Sequence, residues 1–106
     1  MLEDLRKLGY RIVETRSIER TLLGERVERK TLLVEGKNLV MRVSSLGSSR
    51  YRVTVVTDEE YREVMENEGM DVAELSDGTI MASASFRSLG EALAKARTIA
   101  LKLYNR

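Results

Sequence analysis

The 106-residue chain contains no His, no Cys, no Trp, no Pro and no Gln. Average usage would place about 5 prolines in a chain of this length, so the omissions are a compositional bias. Each removes a chemistry. Without His or Cys there is no imidazole base, no thiolate nucleophile, no disulfide and no zinc site of the usual nitrogen and sulfur kind. No apolar run approaches the ~20 residues of a membrane span. The opening Met1-Leu2-Glu3-Asp4-Leu5-Arg6 is charged at once, unlike a signal peptide, and no Cys is there to lipidate. The expected compartment is the cytoplasm and no membrane is expected as a partner.

What remains is an ionic vocabulary. Charged residues make up 33% of the chain and apolar ones 42%, the balance of a globular protein. Arg outnumbers Lys 13 to 5 and Glu outnumbers Asp 13 to 4. Few thermolabile residues and many ionic ones fit a thermophile, or an engineered sequence that shares the bias. The length suits one domain, residues 1–106, with a core that needs no staples.

The apolar pattern and the glycines divide the chain. Leu2, Leu5 and Leu8 share a helical face that ends at Gly9. Extended segments follow at roughly 10–21, 26–35, 38–45 and 50–57, broken at Leu23-Gly24, Gly36-Lys37 and Leu46-Gly47-Ser48. Thr57 and Glu60 have capping-box spacing, and Tyr61, Val64 and Met65 give a helical stripe that stops at Gly69. A hairpin turning at Asp77-Gly78 joins strands at 70–75 and 79–87. Ser88 and Glu91 are a second capping box, opening a helix with Leu89, Ala92, Leu93, Ala96, Ile99, Ala100 and Leu103 on one face. The order αββββαββα predicts an α+β domain, a largely antiparallel sheet with helices packed on one face.

Hairpin lengths then assign faces. A loop at Leu46-Gly47-Ser48 pairs Val43 with Tyr51, Met41 with Val53 and Leu39 with Val55, a core face. A turn at Gly36-Lys37 sets Leu32 beside Met41 and Val34 beside Leu39. In the Asp77-Gly78 hairpin, Ala73, Leu75, Ile80, Ala82, Ala84 and Phe86 fall on one side. On the outer face the same registers set Arg42 opposite Arg52, Ser44 opposite Arg50, Arg29 beside Ser44 and Thr31 beside Arg42. Like charges directly opposed on a sheet are destabilising. Such a cluster needs either nearby carboxylates, with Glu14 and Glu35 the candidates on a solvated face, or an anionic partner.

Charge along the chain points the same way. Residues 1–57 carry 12 basic and 7 acidic side chains, residues 58–87 carry 2 and 9, and residues 88–106 carry 4 and 1, so a formal charge of +1 hides balances of +5, −7 and +3. Phosphate backbones are the commonest target of a basic patch. The candidate nucleic-acid-binding residues are Arg29, Lys30, Arg42, Arg50, Arg52 and Arg87. Tyr51 and Phe86 fall on the core side and Tyr61 on a buried stripe, which leaves Tyr10 and Tyr104 for stacking. Phosphate contact with little base reading is therefore expected.

Other chemistry is thin. Glu28-Arg29-Lys30 and Glu35-Gly36-Lys37 match the acid-x-Lys pattern of metal-dependent nucleases, with Glu14 or Glu19 as a second carboxylate, but short patterns of this kind arise by chance. Glu59, Glu63 and Glu66 read as a solvated helix face relieved by Arg62, and Ser44 to Ser49 as a hairpin tip. No catalytic residue, metal or cofactor is expected. A competing reading is a homodimer: Val27, Leu33, Val40 and Val56 on the outer face, and Leu101 and Ala94 on the last helix, are more apolar than solvation needs.

Overall fold

A computed structural model describes residues 2–46 and 49–104. The elements run α1 (Glu3–Lys7), β1 (Arg11–Arg20), β2 (Arg26–Glu35), β3 (Leu39–Ser45), β4 (Tyr51–Asp58), a 3-10 turn (Glu59–Tyr61) leading into α2 (Arg62–Asn67), β5 (Asp71–Glu74), β6 (Thr79–Phe86) and α3 (Leu89–Tyr104). The strands form one antiparallel sheet in the order β1-β2-β3-β4-β6-β5. This is the α+β arrangement the sequence predicts. Among the described residues no helix is long and apolar enough to cross a membrane.

Side-chain alternation on these strands makes one apolar face. Ile12, Val34, Met41, Val55, Ala82 and Val72 are cross-strand partners in a single row spanning all six strands. The next row holds Leu32, Val43, Val53 and Ala84. Against them α3 buries Ala92, Leu93, Ala96, Ile99, Ala100 and Leu103. Ala96, Ala100 and Ala82 are fully buried, so small side chains on both surfaces bring the helix axis close to the sheet. Leu2 and Leu5 of the N-terminal segment, and Tyr61, Val64 and Met65 around α2, complete the same core. Leu89, expected on the buried stripe, is exposed at the first turn of α3.

Ion pairs tie the helices together. Glu68, just past α2, receives Lys95 at 3.2 Å and also Lys102, two turns further along α3. Asp4 of α1 receives Arg97 at 2.7 Å. Hydrogen bonds from these cations hold the Glu68 and Asp4 carboxyls below the usual carboxylate range. At the start of α3, Ser88 Oγ accepts from the Glu91 backbone N–H at 3.1 Å, the capping bond that the sequence predicts.

The other predicted cap does not form. Thr57 remains in β4, and its hydroxyl donates to the Asn38 carbonyl, so the turn into α2 has no side-chain cap. Two registers also differ from expectation. Leu32 faces Val43 and Val34 faces Met41, because the turn centres on Lys37-Asn38, with Gly36 N–H donating to Leu39 O. Val43 faces Val53 and Met41 faces Val55, since the β3–β4 connection is five residues, closed by Leu46 N–H on Arg50 O. The predicted tip residues Gly47 and Ser48 lie outside the described residues. Both slips are by two, so every side chain keeps its predicted face. In β5 the slip is by one: Val72 pairs with Ala82 on the core face, while Ala73 pairs with Met81 outside and Leu75 is exposed. Met70, buried before the strand, fixes that phase.

Candidate nucleic-acid interface

All three helices pack on one side, so the opposite face of the sheet is open. Its side chains come from Arg11, Val13, Thr15, Ser17 and Glu19 of β1, then from Val27, Arg29, Thr31, Leu33 and Glu35 of β2, and from alternate residues of the remaining strands. The registers arrange them in rows. One row reads Thr15, Thr31, Ser44, Arg52, Ser85, and its neighbour reads Val13, Leu33, Arg42, Thr54, Ser83, Asp71. Arg42 therefore faces Leu33 and Thr54, and Arg52 faces Ser44 and Ser85, which corrects the direct Arg42–Arg52 opposition expected from the sequence. The two arginines are diagonal neighbours instead. Diagonal positions sit roughly 7–8 Å apart, a spacing that removes the sharpest repulsion and leaves both guanidiniums on one patch.

Arg50 and Arg87 extend the patch. They flank the paired residues Tyr51 and Phe86 and border a shallow groove with Ser49, Ser85 and Glu91. Arg42, Arg50, Arg52 and Arg87 are exposed, and among the described residues none of the four takes part in an ion pair or side-chain hydrogen bond. Of the carboxylates considered as their compensation, Glu14 lies off this face, and Glu35 is on it, diagonal to Arg42, without forming an ion pair with it. Glu14 is on the helix-side face, 3.5 Å from Arg16, and Glu35 faces Arg11 and Val40. The hydroxyls of Thr31, Ser44, Thr54, Ser83 and Ser85 lie between and beside the guanidiniums, donors well suited to phosphate oxygens.

Two predicted members fall outside this group. Arg29 is on the open face but lies toward the far end of the β1–β2 hairpin, paired with Glu19 at 3.3 Å. Lys30 points to the opposite face. It lines a cleft of about 430 Å³ between α1, the start of α3 and the hairpin, with Glu14, Glu28, Leu32, Tyr51 and Leu93. The acid-x-Lys pair Glu28 and Lys30 thus meets Glu14 in this cleft. Glu19 faces away on the other side of the sheet. Among the described residues no group of three or more acidic side chains could hold a metal ion.

The aromatics stay off the open face. Tyr51 and Phe86 are half-buried on the helix side. Tyr10, a stacking candidate in the sequence, is in the core: its hydroxyl donates to the Ala100 carbonyl at 2.7 Å, and its ring lies 6.4 Å from that of Tyr104. Burial pushes the Tyr10 phenol up from its ordinary value, with Tyr104 adding to the effect. A second feature of the open face is a row of Val40, Val56, Met81 and Ala73, of which sequence reasoning named Val40 and Val56 but not Met81 and Ala73. Val40 and Met81 are 46% and 40% exposed, enough to make that row an apolar border to the basic patch. Alternation with Ile80 and Ala82 places Met81 outside, whereas Ala73 was hidden by the one-residue slip in β5.

No protein-family model matches the chain, and comparison with curated proteins and with solved structures returns no match. The residues alone carry the functional argument.

Proposed function

We propose that the open sheet face is a non-enzymatic nucleic-acid-binding surface that contacts the phosphate backbone. The observation that carries this reading is the set of exposed, unpaired Arg42, Arg50, Arg52 and Arg87 among hydroxyl side chains on a face no helix covers. Unpaired guanidiniums attract anions, and their forked donors suit phosphate oxygens. The face has hydroxyls and no aromatic ring, which favours backbone contact over base stacking, so binding is weakly sequence-specific. The cytoplasm of a heat-adapted cell is the setting we infer, from the Arg- and Glu-rich composition that lacks Cys and Gln.

The test is a fluorescence-anisotropy titration of DNA and RNA oligonucleotides at about 50 and about 200 mM salt. Four phosphate contacts on a duplex predict a loss of affinity on the order of a hundredfold across that range. Absence of binding at the lower salt refutes the reading.

A second reading is supported by the apolar row of Val40, Val56, Met81 and Ala73. A partly exposed apolar band on an uncovered face favours assembly, in which case the protein is a homodimeric interaction module without nucleic-acid binding. Sedimentation showing dimers, with no oligonucleotide bound, replaces the first reading by the second.

A further inference from the structure

The two edges of the sheet are built differently. β5 is four residues long and carries Asp71 and Glu74, the short charged form that discourages strand addition. β1 is ten residues long and pairs with β2 through ten consecutive partners without a bulge. Glu14 to Arg20 are exposed without interruption, and the far half of the β1–β2 hairpin projects past the helices, leaving Ile18 60% exposed. The chain has no proline to interrupt such an edge. Unpaired backbone groups along a regular edge are a template for another strand.

The side chains of β1 say which strand fits. Laid antiparallel on a second copy of itself about a two-fold axis at Thr15, β1 sets Arg11 against Glu19, Ile12 against Ile18, Val13 against Ser17 and Glu14 against Arg16, each pair occurring twice. Every charged side chain from Arg11 to Glu19 meets the opposite charge, and the exposed Ile18 meets an isoleucine. Moving the axis to position 14 opposes Glu14 to its own copy and Ile12 to Arg16. Moving it to position 16 opposes Arg16 to its own copy and Ile12 to Arg20. Opposed unlike charges and β-branched pairs stabilise a ladder, whereas like charges oppose it. Of the three, only the Thr15 register satisfies every residue from Arg11 to Glu19.

We propose that the protein homodimerises by edge-to-edge pairing of β1 in this register, forming a continuous twelve-stranded sheet. The interface is isologous, the same strand presented by both copies. It is distinct from the open face and does not depend on the phosphate-binding reading. The Arg6 guanidinium, which donates to the Ile12 carbonyl at 3.2 Å from an exposed position, gives up that carbonyl to the incoming strand.

The test uses the full chain in analytical ultracentrifugation from about 10 to about 500 µM, a range that covers micromolar dissociation constants. Dimers of the 12.0-kDa chain are expected. Because the chain has no cysteine, one introduced thiol reports the register. Thr15→Cys places the two thiols opposite each other, within disulfide reach. Ser17→Cys leaves them four residues apart along the ladder, roughly 13 Å. Oxidation is therefore expected to cross-link Thr15→Cys and not Ser17→Cys. Glu14→Arg opposes two arginines twice and raises the dissociation constant about tenfold or more, and adding Arg16→Glu restores it. Circular dichroism checks that these exposed substitutions leave the fold intact. A monomer at every concentration, equal cross-linking at position 17, or a dimer indifferent to Glu14→Arg each overturns the proposal. A dimer that Thr15→Cys does not trap also overturns it, and moves assembly to the open face.

Discussion

Substituting alanine for Gly36 should destabilise the protein by roughly 3 kcal/mol, a cost that comes from one clash. A Cβ built at Gly36 falls 3.3 Å from Tyr10 Cζ and closer still to Cε1 and Cδ1. Tyr10 has little room to retreat. It is 7% exposed, and its hydroxyl is held by the Ala100 carbonyl at 2.7 Å. Expelling the ring loses a hydrogen bond of about 1 kcal/mol and much of the burial of a large aromatic, about 1.5–3 kcal/mol. Tyr10→Phe removes only the first contribution and should cost about 1 kcal/mol. The diagnostic measurement is a double-mutant cycle in urea, followed by circular dichroism. With Tyr10→Ala already in place the clash has no partner, so Gly36→Ala should then cost less than about 0.5 kcal/mol. If the alanine is as damaging without the ring as with it, the steric account is wrong and the backbone at Gly36 is responsible.

Three further outcomes follow from contacts described above. Ser88→Ala removes the acceptor for the Glu91 N–H and should lower stability by about 1 kcal/mol in denaturant melts. Glu68 is a carboxylate whose folded-state pKa is lowered, so its contribution is present above the ordinary glutamate value and is lost as pH falls through the folded value. Thermal melts of Glu68→Gln should thus lie below the parent at pH 7 and converge on it in acid; a constant gap across pH contradicts the Lys95–Glu68–Lys102 clamp. Arg42→Glu and Arg52→Glu should weaken oligonucleotide binding on all sequences alike, each lowering the salt slope by about 1. A loss confined to one sequence is inconsistent with phosphate contact.

Much of the architecture is legible in the sequence, because the face of a strand is a matter of parity. Val34, Met41, Val43, Val53 and Val55 are on the core side whichever even shift the hairpins adopt. The slips at Lys37-Asn38 and at the β3–β4 loop therefore changed neighbours without changing faces. Neighbours are what the candidate site depends on, and there the reading was weaker. Arg42 and Arg52 are on the expected patch, but Lys30 alternates to the other face and Arg29 is occupied by Glu19. Turn chemistry around Gly36 did not say that the turn centres one residue later. In β5, with only four residues, no alternation was long enough to reveal that Val72 and not Ala73 faces inward. Thr57 had a cap's spacing, but β4 ran one residue beyond it and used the hydroxyl to hold the Asn38 carbonyl.

The helix that covers the sheet follows all six strands in the chain. Val34, Met41, Val53, Val55 and Ile80 are fully buried, and Ile99 and Leu103, which help to cover that face, arrive only near the far end of α3. Strand pairing between sequence neighbours can begin early, since hairpins close quickly. Until α3 is made, however, a broad apolar surface stands open to solvent and to other nascent chains. Synthesis therefore delivers the strands of the apolar face before the helix that seals it. A chain halted before Ile99 should aggregate where the whole one folds, because its exposed surface is the core that α3 would have sealed.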